Sequence, residues 1–213
     1  MSPSSVGERE NVTVAGLRRL SDTRFELSLE SGETLKIALE QVADFSLCAG
    51  RELTDTELGR LRSAAVLSRT KERALRIINA RAMSEREMYD RLVEKGESEQ
   101  NAAAAVAWLI SLHFLNDADY AAAVARHCVA KGFGKRRVRD ELYKRKLPRE
   151  LWDAAMEELP EEDDALDRLL RSRLRGADAD DRAALKRATD ALLRRGFDWD
   201  EIKAAVERYR AGE

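Results

Sequence analysis

Cysteine, proline and aromatic residues are scarce in this sequence. It contains 2 cysteines, 3 prolines and 6% aromatic residues in a chain of 213. Cys48 and Cys128 are too few for a disulfide framework, which indicates a reducing, cytoplasmic location. No apolar run approaches the ~18 residues of a membrane span, and residues 1–10 have no apolar centre like that of a signal peptide. We therefore expect a cytoplasmic protein that does not enter a membrane.

Net charge is also nearly absent. The 38 Lys and Arg residues offset 40 Asp and Glu residues and leave a charge of −2, so no strong global field draws the whole molecule to a nucleic acid. Charged residues nevertheless make up 37% of the chain, well above the usual value of roughly a quarter. This excess, together with many Ala and Leu residues, favours long amphipathic helices with solvated outer faces.

Residues 11–37 alternate between apolar and polar side chains, which is typical of half-buried strands. Two pairs, Ser21-Asp22 and Ser31-Gly32, interrupt the alternation as turn signals. The pattern predicts a three-stranded meander with these apolar positions: Val12 and Val14, then Phe25, Leu27 and Leu29, then Leu35 and Ile37. A short helix should follow at about 39–47 and end at Ala49-Gly50.

From Thr54 onward the apolar spacing is helical, and about nine helices are expected up to residue 211. Thr54 and Glu57 have the spacing of a capping box, in which each side chain bonds to the other residue's backbone N–H. Other N-terminal signals are Ser84 with Glu87, Asp198 with Glu201, and the N-cap candidates Ser98, Asn116 or Asp117, and Asp178. Pro148 suits a first helical turn. Helices should end near Gly96, Gly132, Gly176 and Gly196.

Comparison of the chain with itself reveals a repeat of fifty residues. Leu92, Leu142 and Leu192 keep this spacing, and so do Lys95, Arg145 and Arg195. Further matches are Val106, Met156 and Val206, and Leu109, Leu159 and Tyr209. Each copy has a helix before and after the matched segment, which indicates three units of three helices. One such unit buries little surface alone, so stacked neighbours should complete its core.

The predicted fold is therefore mainly α: three tandem three-helix repeats form an elongated curved array after a small β-rich N-terminal extension. The predicted segments are the extension at 1–53, a linker helix with the first repeat at 54–115, the second repeat at 116–160, and the third repeat at 161–213. An array of this kind can offer one long face to a partner.

The sequence contains no arrangement typical of an enzyme. His113 and His127 lie on different predicted helices, and Cys128, beside His127, points elsewhere on its helix. The acidic clusters at 161–164 and 178–181 begin predicted helices, where the helix dipole favours negative charge. Phosphate-binding loops, nucleophile elbows and zinc-ligand spacings are missing. We expect neither catalytic activity nor a metal or other cofactor.

The nearly neutral net charge of the chain conceals one basic segment. Residues 131–149 include nine basic residues and two acidic ones. On a helix that begins near Gly134, Val138 and Leu142 form an i, i+4 apolar pair that should face the core. The basic side chains then project elsewhere, either as a docking surface for phosphate or an acidic protein, or as a solvated face. The candidate binding residues are Lys135, Arg136, Arg137, Arg139, Arg145 and Lys146.

Four segments resemble signatures of the RecX family. They are SEREM at 84–88, followed by Leu92 and Lys95-Gly96; LNDADYA at 115–121; GKRRVRDEL at 134–142; and RRGF at 194–197. The resemblance covers about residues 69–210. Two departures stand out: Arg145-Lys146 occupies the place of the family's usual Lys-Gly, and only some members have a β-rich N-terminal extension.

The resemblance implies a regulator that acts in DNA repair, recombination and the SOS response. It implies three three-helix repeats that bind the RecA recombinase filament, together with the DNA inside it, and no cofactor. Such a protein would dampen strand exchange and coprotease activity, and we expect it to be a monomer. The alternative is a direct DNA-binding protein, since three-helix units resemble helix-turn-helix modules.

Overall fold

A computed structural model describes residues 11–157, 163–175 and 181–211. The predicted N-terminal tail, Leu159, Gly176, Asp178 and most of the acidic clusters lie outside these ranges. Contacts divide the chain into two compact units: residues 1–80 with 91–111, and residues 81–90 with 112–213. The four predicted segments were defined from the sequence, and their boundaries remain a prediction.

The first unit begins with the predicted meander. Strands β1 Val12–Arg19, β2 Arg24–Leu29 and β3 Thr34–Ala38 pair antiparallel. Alternation places one apolar set inside: Val14, Leu27, Leu29 and Ile37 are each at most 2% exposed. This set packs with Leu58 and Leu61 of the long helix α2 Asp55–Ala80 to form one core.

Two details of this region were predicted wrongly. Helix α1 is Leu39–Asp44, so it ends well before Ala49-Gly50. A fourth strand, β4 Glu52–Leu53, pairs with β1 and gives the sheet order β3-β2-β1-β4. Two residues are too few to show an alternating pattern, so this strand exists only through its pairing with Val12 and Thr13.

After the sheet, the regular secondary structure of the described chain is helical. After α2 come α3 Glu85–Glu94, α4 Glu99–Ser111, α5 Asp117–Ala130, α6 Lys135–Lys144, a 3-10 turn Arg149–Leu151 that leads into α7 Trp152–Glu157, α8 Asp163–Leu174, α9 Arg182–Arg194 and α10 Trp199–Ala211. A mainly α protein with a β-rich N-terminal region is confirmed. No helix in the described ranges combines the length and the hydropathy that crossing a bilayer requires.

Most helices begin at the predicted caps. The backbone N–H of Thr54 donates to Glu57 at 2.9 Å, and that of Glu57 donates to the Thr54 hydroxyl at 3.2 Å. Ser84 and Glu87 form the same pair of bonds. Ser98 and Asn116 also act as N-caps. In the third repeat Asp181 accepts the first free N–H groups of α9, and the predicted cap Asp178 lies outside the described residues.

The fifty-residue repeat corresponds to equivalent core positions. Leu92, Leu142 and Leu192 are at most 1% exposed, and each lies two residues before its helix ends. The second repeat has a core of Ala121, Val124, Ala125, Val138, Leu142 and Leu147. The third has a core of Leu166, Leu170, Leu174, Leu185, Leu192 and Ile202. The apolar stripe predicted from sequence is therefore the buried side of each of these helices.

The three matched helices also end alike. Gly96 and Gly196 follow α3 and α9 with φ of 85° and 88°, which is the left-handed conformation that often terminates helices. Lys146 occupies the equivalent place after α6 and adopts φ of 54°. The backbone geometry of the repeat thus persists where the glycine is replaced by lysine, although a side chain makes this conformation less favourable.

Candidate partner-binding surface on the second repeat

Helix α6 carries most of the basic segment, and its burial divides the residues as predicted. Val138 and Leu142 are fully buried in the core that α6 shares with α5. Their i, i+4 spacing fixes one face of α6 inward. Each basic side chain therefore either lies along the flank of the helix or extends into solvent, and its partners decide which.

The start of α6 is held by the end of α9. The Gly134 N–H donates to the Arg195 carbonyl oxygen at 3.0 Å, and the Arg136 N–H donates to the Gly196 carbonyl oxygen at 3.1 Å. A β-carbon on Gly134 would lie 2.5 Å from that Gly196 oxygen, so glycine is required for this approach. The basic helix is thereby fixed in direction at its first turn.

Arg145 is bound within the repeat. Its guanidinium donates to the Tyr120 hydroxyl at 2.6 Å and to Glu141 at 3.4 Å. Burial of the guanidinium disfavours its charge, but the bond to Tyr120 and the nearby carboxylates prevail and raise the pKa of Arg145. Its carbonyl oxygen also accepts the Ser84 hydroxyl at 2.6 Å. Arg145 consequently organises the end of α6 and has little freedom to meet a partner.

Two predicted lysines have carboxylate partners. The Lys146 ammonium lies 2.6 Å from Asp90, and the Lys135 ammonium lies 3.5 Å from Glu201. The hydrogen bond from Lys146 lowers the pKa of Asp90. Because each lysine ammonium is half-exposed, these ion pairs orient the side chains without neutralising them fully.

Arg136 and Arg139 differ from these paired cations in their surroundings. Both are exposed, and within the described residues neither has an ion pair or a side-chain hydrogen bond. Arg137 is half-buried, with its guanidinium 5.8 Å from the centre of the Phe133 ring. The structure therefore sorts the six predicted residues into two free arginines, one arginine beside an aromatic ring, and three cations with internal partners.

A cavity of about 360 Å³ lies beside these residues, between α5 and α6. Its apolar lining comes from Tyr120, Ala123, Val124, Cys128 and Phe133, and its charged lining from Lys131, Arg137, Glu141 and Arg145. Burial and the nearby Glu141 raise the pKa of the Cys128 thiol. The sequence did not predict this cavity, because residues of two different helices line it. The available signal was the i, i+4, i+8 spacing of Arg137, Glu141 and Arg145, which is typical of side chains on one helical face.

A second feature that the sequence did not reveal is a group of carboxylates where α3 and α5 begin. Asp117 is 7% exposed and accepts the Glu85 backbone N–H at 2.9 Å. Burial raises the pKa of Asp117, and burial together with the charge of Asp117 raises the pKa of Glu85. Asp117 thereby pairs a free N–H group at the start of α3.

Neither histidine takes part in a metal site among the described residues. His127 and Cys128 both border the cavity, whereas His113 is exposed with φ of 59°. In the ranges that the structure covers, no three His, Cys, Asp or Glu side chains come close enough to hold a metal ion.

Comparisons with known proteins agree with this architecture. Family models described as the first, second and third three-helix domains of RecX match residues 71–109, 116–156 and 161–206. Regulatory protein RecX of Vibrio campbellii is 30% identical over 138 residues, which cover 64% of this chain and 89% of that protein. The Stenotrophomonas maltophilia protein of the same name is 35% identical over 137 residues, covering 63% and 83%.

Two solved structures share the fold. A crystal structure of a regulatory protein RecX matches with a TM-score of 0.76 at 16% identity and covers 92% of this chain and 99% of that chain. The structure of RecX from Lactobacillus salivarius matches with a TM-score of 0.63 at 19% identity, covering 68% and 97%. At these identities the likeness concerns the fold alone.

Proposed function

Because this chain belongs to the RecX family of regulatory proteins, we propose that it is a non-enzymatic regulator that binds the RecA recombinase filament. Binding restrains recombination, strand exchange and coprotease activity. The regulator needs no cofactor, since the filament itself carries the nucleotide and the DNA. It acts in the cytoplasm as a monomer, with the extension at 1–53 and repeats at 54–115, 116–160 and 161–213.

The observation that carries this proposal is the pair of free cations on α6. Arg136 and Arg139 are exposed without partners in the described chain, on a helix that Val138 and Leu142 hold firmly in the core. Guanidinium groups form bidentate bonds with carboxylates and phosphates, both of which a nucleoprotein filament presents. The rigid helix has an ordered backbone before binding, so only the arginine side chains lose conformational freedom when a partner is bound.

Regulation then follows from differential affinity. A protein that binds the assembled filament better than free recombinase subunits, or the reverse, shifts assembly by the ratio of the two affinities. In this proposal Lys135, Arg137, Arg145 and Lys146 add positive charge to the segment that carries the two free arginines.

The decisive experiment measures binding of the full-length protein to preformed recombinase filaments by co-sedimentation at several salt concentrations. Naked DNA and free recombinase serve as separate arms. The proposal expects tighter binding to filaments than to naked DNA, together with slower strand exchange. Equal binding to filaments and to naked DNA at every salt concentration would instead favour the second candidate.

That second candidate is direct binding of single-stranded nucleic acid, and it rests on a different surface. Tyr143 is 66% exposed, and Arg149 lies over the Trp152 ring at 5.6 Å. Lys144 and Arg86 border the same hollow. Aromatic rings among cations are typical of proteins that stack bases and hold phosphates. Tyr143→Ala should then weaken binding to an oligothymidylate and leave binding to the free recombinase unchanged.

A further inference from the structure

We propose that the cavity between α5 and α6 binds an acidic peptide segment of a partner protein and takes up one apolar side chain of that segment. The inference deepens the proposed function, on which it rests for the identity of the partner as the regulated protein. The site is the cavity itself, whereas the proposed function rests on the exposed arginines of α6.

The floor of the cavity is suited to an apolar group. Val124 and Cys128 are buried, Ala123 is small and exposed, and the Tyr120 and Phe133 rings stand beside them. A volume of about 360 Å³ lies at the lower end of the ~300–1,000 Å³ range of ligand pockets. It accommodates a large apolar side chain and leaves the peptide backbone at the mouth.

Most of the polar groups in the cavity wall are paired through Arg145, which donates to the Tyr120 hydroxyl and to Glu141 from its Nη atoms. Its buried Nε has no hydrogen-bond partner in the described chain. A polar ligand would have to compete with the existing bonds of Tyr120 and Glu141 to enter. An apolar group needs no such exchange, because unmet hydrogen bonds rather than apolar contacts penalise burial. The existing bonds also hold the cavity open before a partner arrives.

The charges at the mouth select an acidic partner. Lys131 is exposed and Arg137 is half-buried, and in the part of the chain that the structure describes neither has a carboxylate partner. Together with Arg145 they outnumber the one acidic lining residue, Glu141. Carboxylates on either side of an inserted side chain would meet Lys131 and Arg137. The apolar floor favours a peptide over a nucleic acid, because a peptide offers an apolar side chain between its carboxylates and a phosphate backbone offers none.

The test is an NMR titration of the ¹⁵N-labelled full-length protein with the capped peptide Asp-Glu-Phe-Asp-Glu. Shifts are expected at the amides of Ala123, Val124 and Cys128. Replacing the peptide's Phe by Ala should weaken binding about tenfold or more. Replacing its acids by Asn and Gln should weaken binding and remove its salt dependence. An oligothymidylate should leave the cavity amides unshifted.

Two protein variants complete the test. Ala123→Trp places a ring in the cavity from an exposed helix position and should abolish peptide binding, whereas Ala103→Trp, at an exposed position on α4, should not. Unshifted cavity amides, an equal response to the Phe and Ala peptides, or shifts with the oligonucleotide instead would overturn the inference. No arm uses the recombinase, so loss of the proposed function would be seen separately, in the filament experiment.

Discussion

The backbone N–H of Gly134 donates to the carbonyl oxygen of Arg195 at 3.0 Å, where α6 begins and α9 ends. Fifty residues earlier in both partners, the Ser84 hydroxyl donates to the Arg145 carbonyl oxygen at 2.6 Å, where α3 begins and α6 ends. At both places a donor at one helix start, an N–H group or a hydroxyl, thus meets a free carbonyl at another helix end, where the partial charges of the two helix termini have opposite sign. The repeat therefore governs how successive helices join as well as their cores.

Gly134→Ala should destabilise the protein by about 1–3 kcal/mol, the usual range for overpacking. Its φ of −80° suits any residue, so the effect is steric: the new methyl group would lie 2.5 Å from the Gly196 oxygen and 2.6 Å from the Phe197 nitrogen. Gly59→Ala in α2 is the matched control, because nothing lies within 4 Å of its added carbon. Urea unfolding should show the control to be unchanged or stabilised.

Leu142→Ala should lower the free energy of unfolding by roughly 2–5 kcal/mol. Leu142 is fully buried in the core of the second repeat, and the surrounding helices can collapse only partly into the space left behind. Leu193→Ala, at a partly exposed position on α9, gives the comparison. A thermal melt of Leu142→Ala that matched the wild-type melt would disprove the equivalence of the repeat positions.

Lys146→Gly should be more stable than Lys146→Ala by about 1 kcal/mol, since only glycine relieves the left-handed conformation. Both variants lose the ion pair with Asp90.

The lowered pKa of Asp90 gives this ion pair a pH dependence. The pair stabilises the fold above the ordinary Asp pKa of about 3.9, and its contribution to the free energy of unfolding is lost as the pH falls through the lowered value. Urea unfolding at neutral and acidic pH should show the advantage of wild type over Lys146→Ala shrinking in acid.

Asp117→Asn should make the free energy of unfolding less sensitive to rising pH. The raised pKa of Asp117 means that its stabilising contribution is complete below the ordinary Asp pKa and is lost as the pH rises through the raised value. The amide oxygen of Asn can still accept the Glu85 N–H. Stability curves should therefore place the variant above wild type at neutral pH and bring the two together in acid.

Asp119→Asn provides the reference for that experiment. It removes the same charge from the same first turn of α5, at an exposed position. If both variants changed stability equally at every pH, the effect would belong to the helix N-terminus rather than to the burial of Asp117.

Reversal of Arg136 and Arg139 to Glu should weaken filament binding and flatten its salt dependence, because two cation–anion contacts are lost. Stability should change by no more than about 0.5 kcal/mol per exposed site. Lys135 is left unchanged although it is a candidate binding residue, because a Glu there would face Glu201 and confuse stability with binding. Co-sedimentation with filaments measures the effect.

The matched control reverses Lys186 and Arg187, both exposed on α9, with the same change in net charge. An equal loss of binding in both double variants would indicate general electrostatic attraction instead of a surface on α6. Unaltered binding in Arg136→Glu/Arg139→Glu would show that α6 is a solvated face.

Local chemistry made much of the fold predictable. Caps such as Thr54 with Glu57 involve residues three apart, and a stripe such as Val138 with Leu142 depends on one helical turn. The fifty-residue spacing of Leu92, Leu142 and Leu192 could likewise be read directly from the chain. These features depend on neighbours in sequence, so residue order alone determines where helices begin, which side they bury and that the units repeat.

Tertiary structure decided the rest. Arg145 is held by Tyr120, 25 residues away, and Lys146 by Asp90, 56 residues away, so sequence could not separate these cations from the free Arg136 and Arg139. Strand β4 likewise arises only by pairing with β1. Residue order placed the charges in one segment. Only the packing of distant segments determined which of them remain available to a partner, because an ion pair depends on distance in space rather than along the chain.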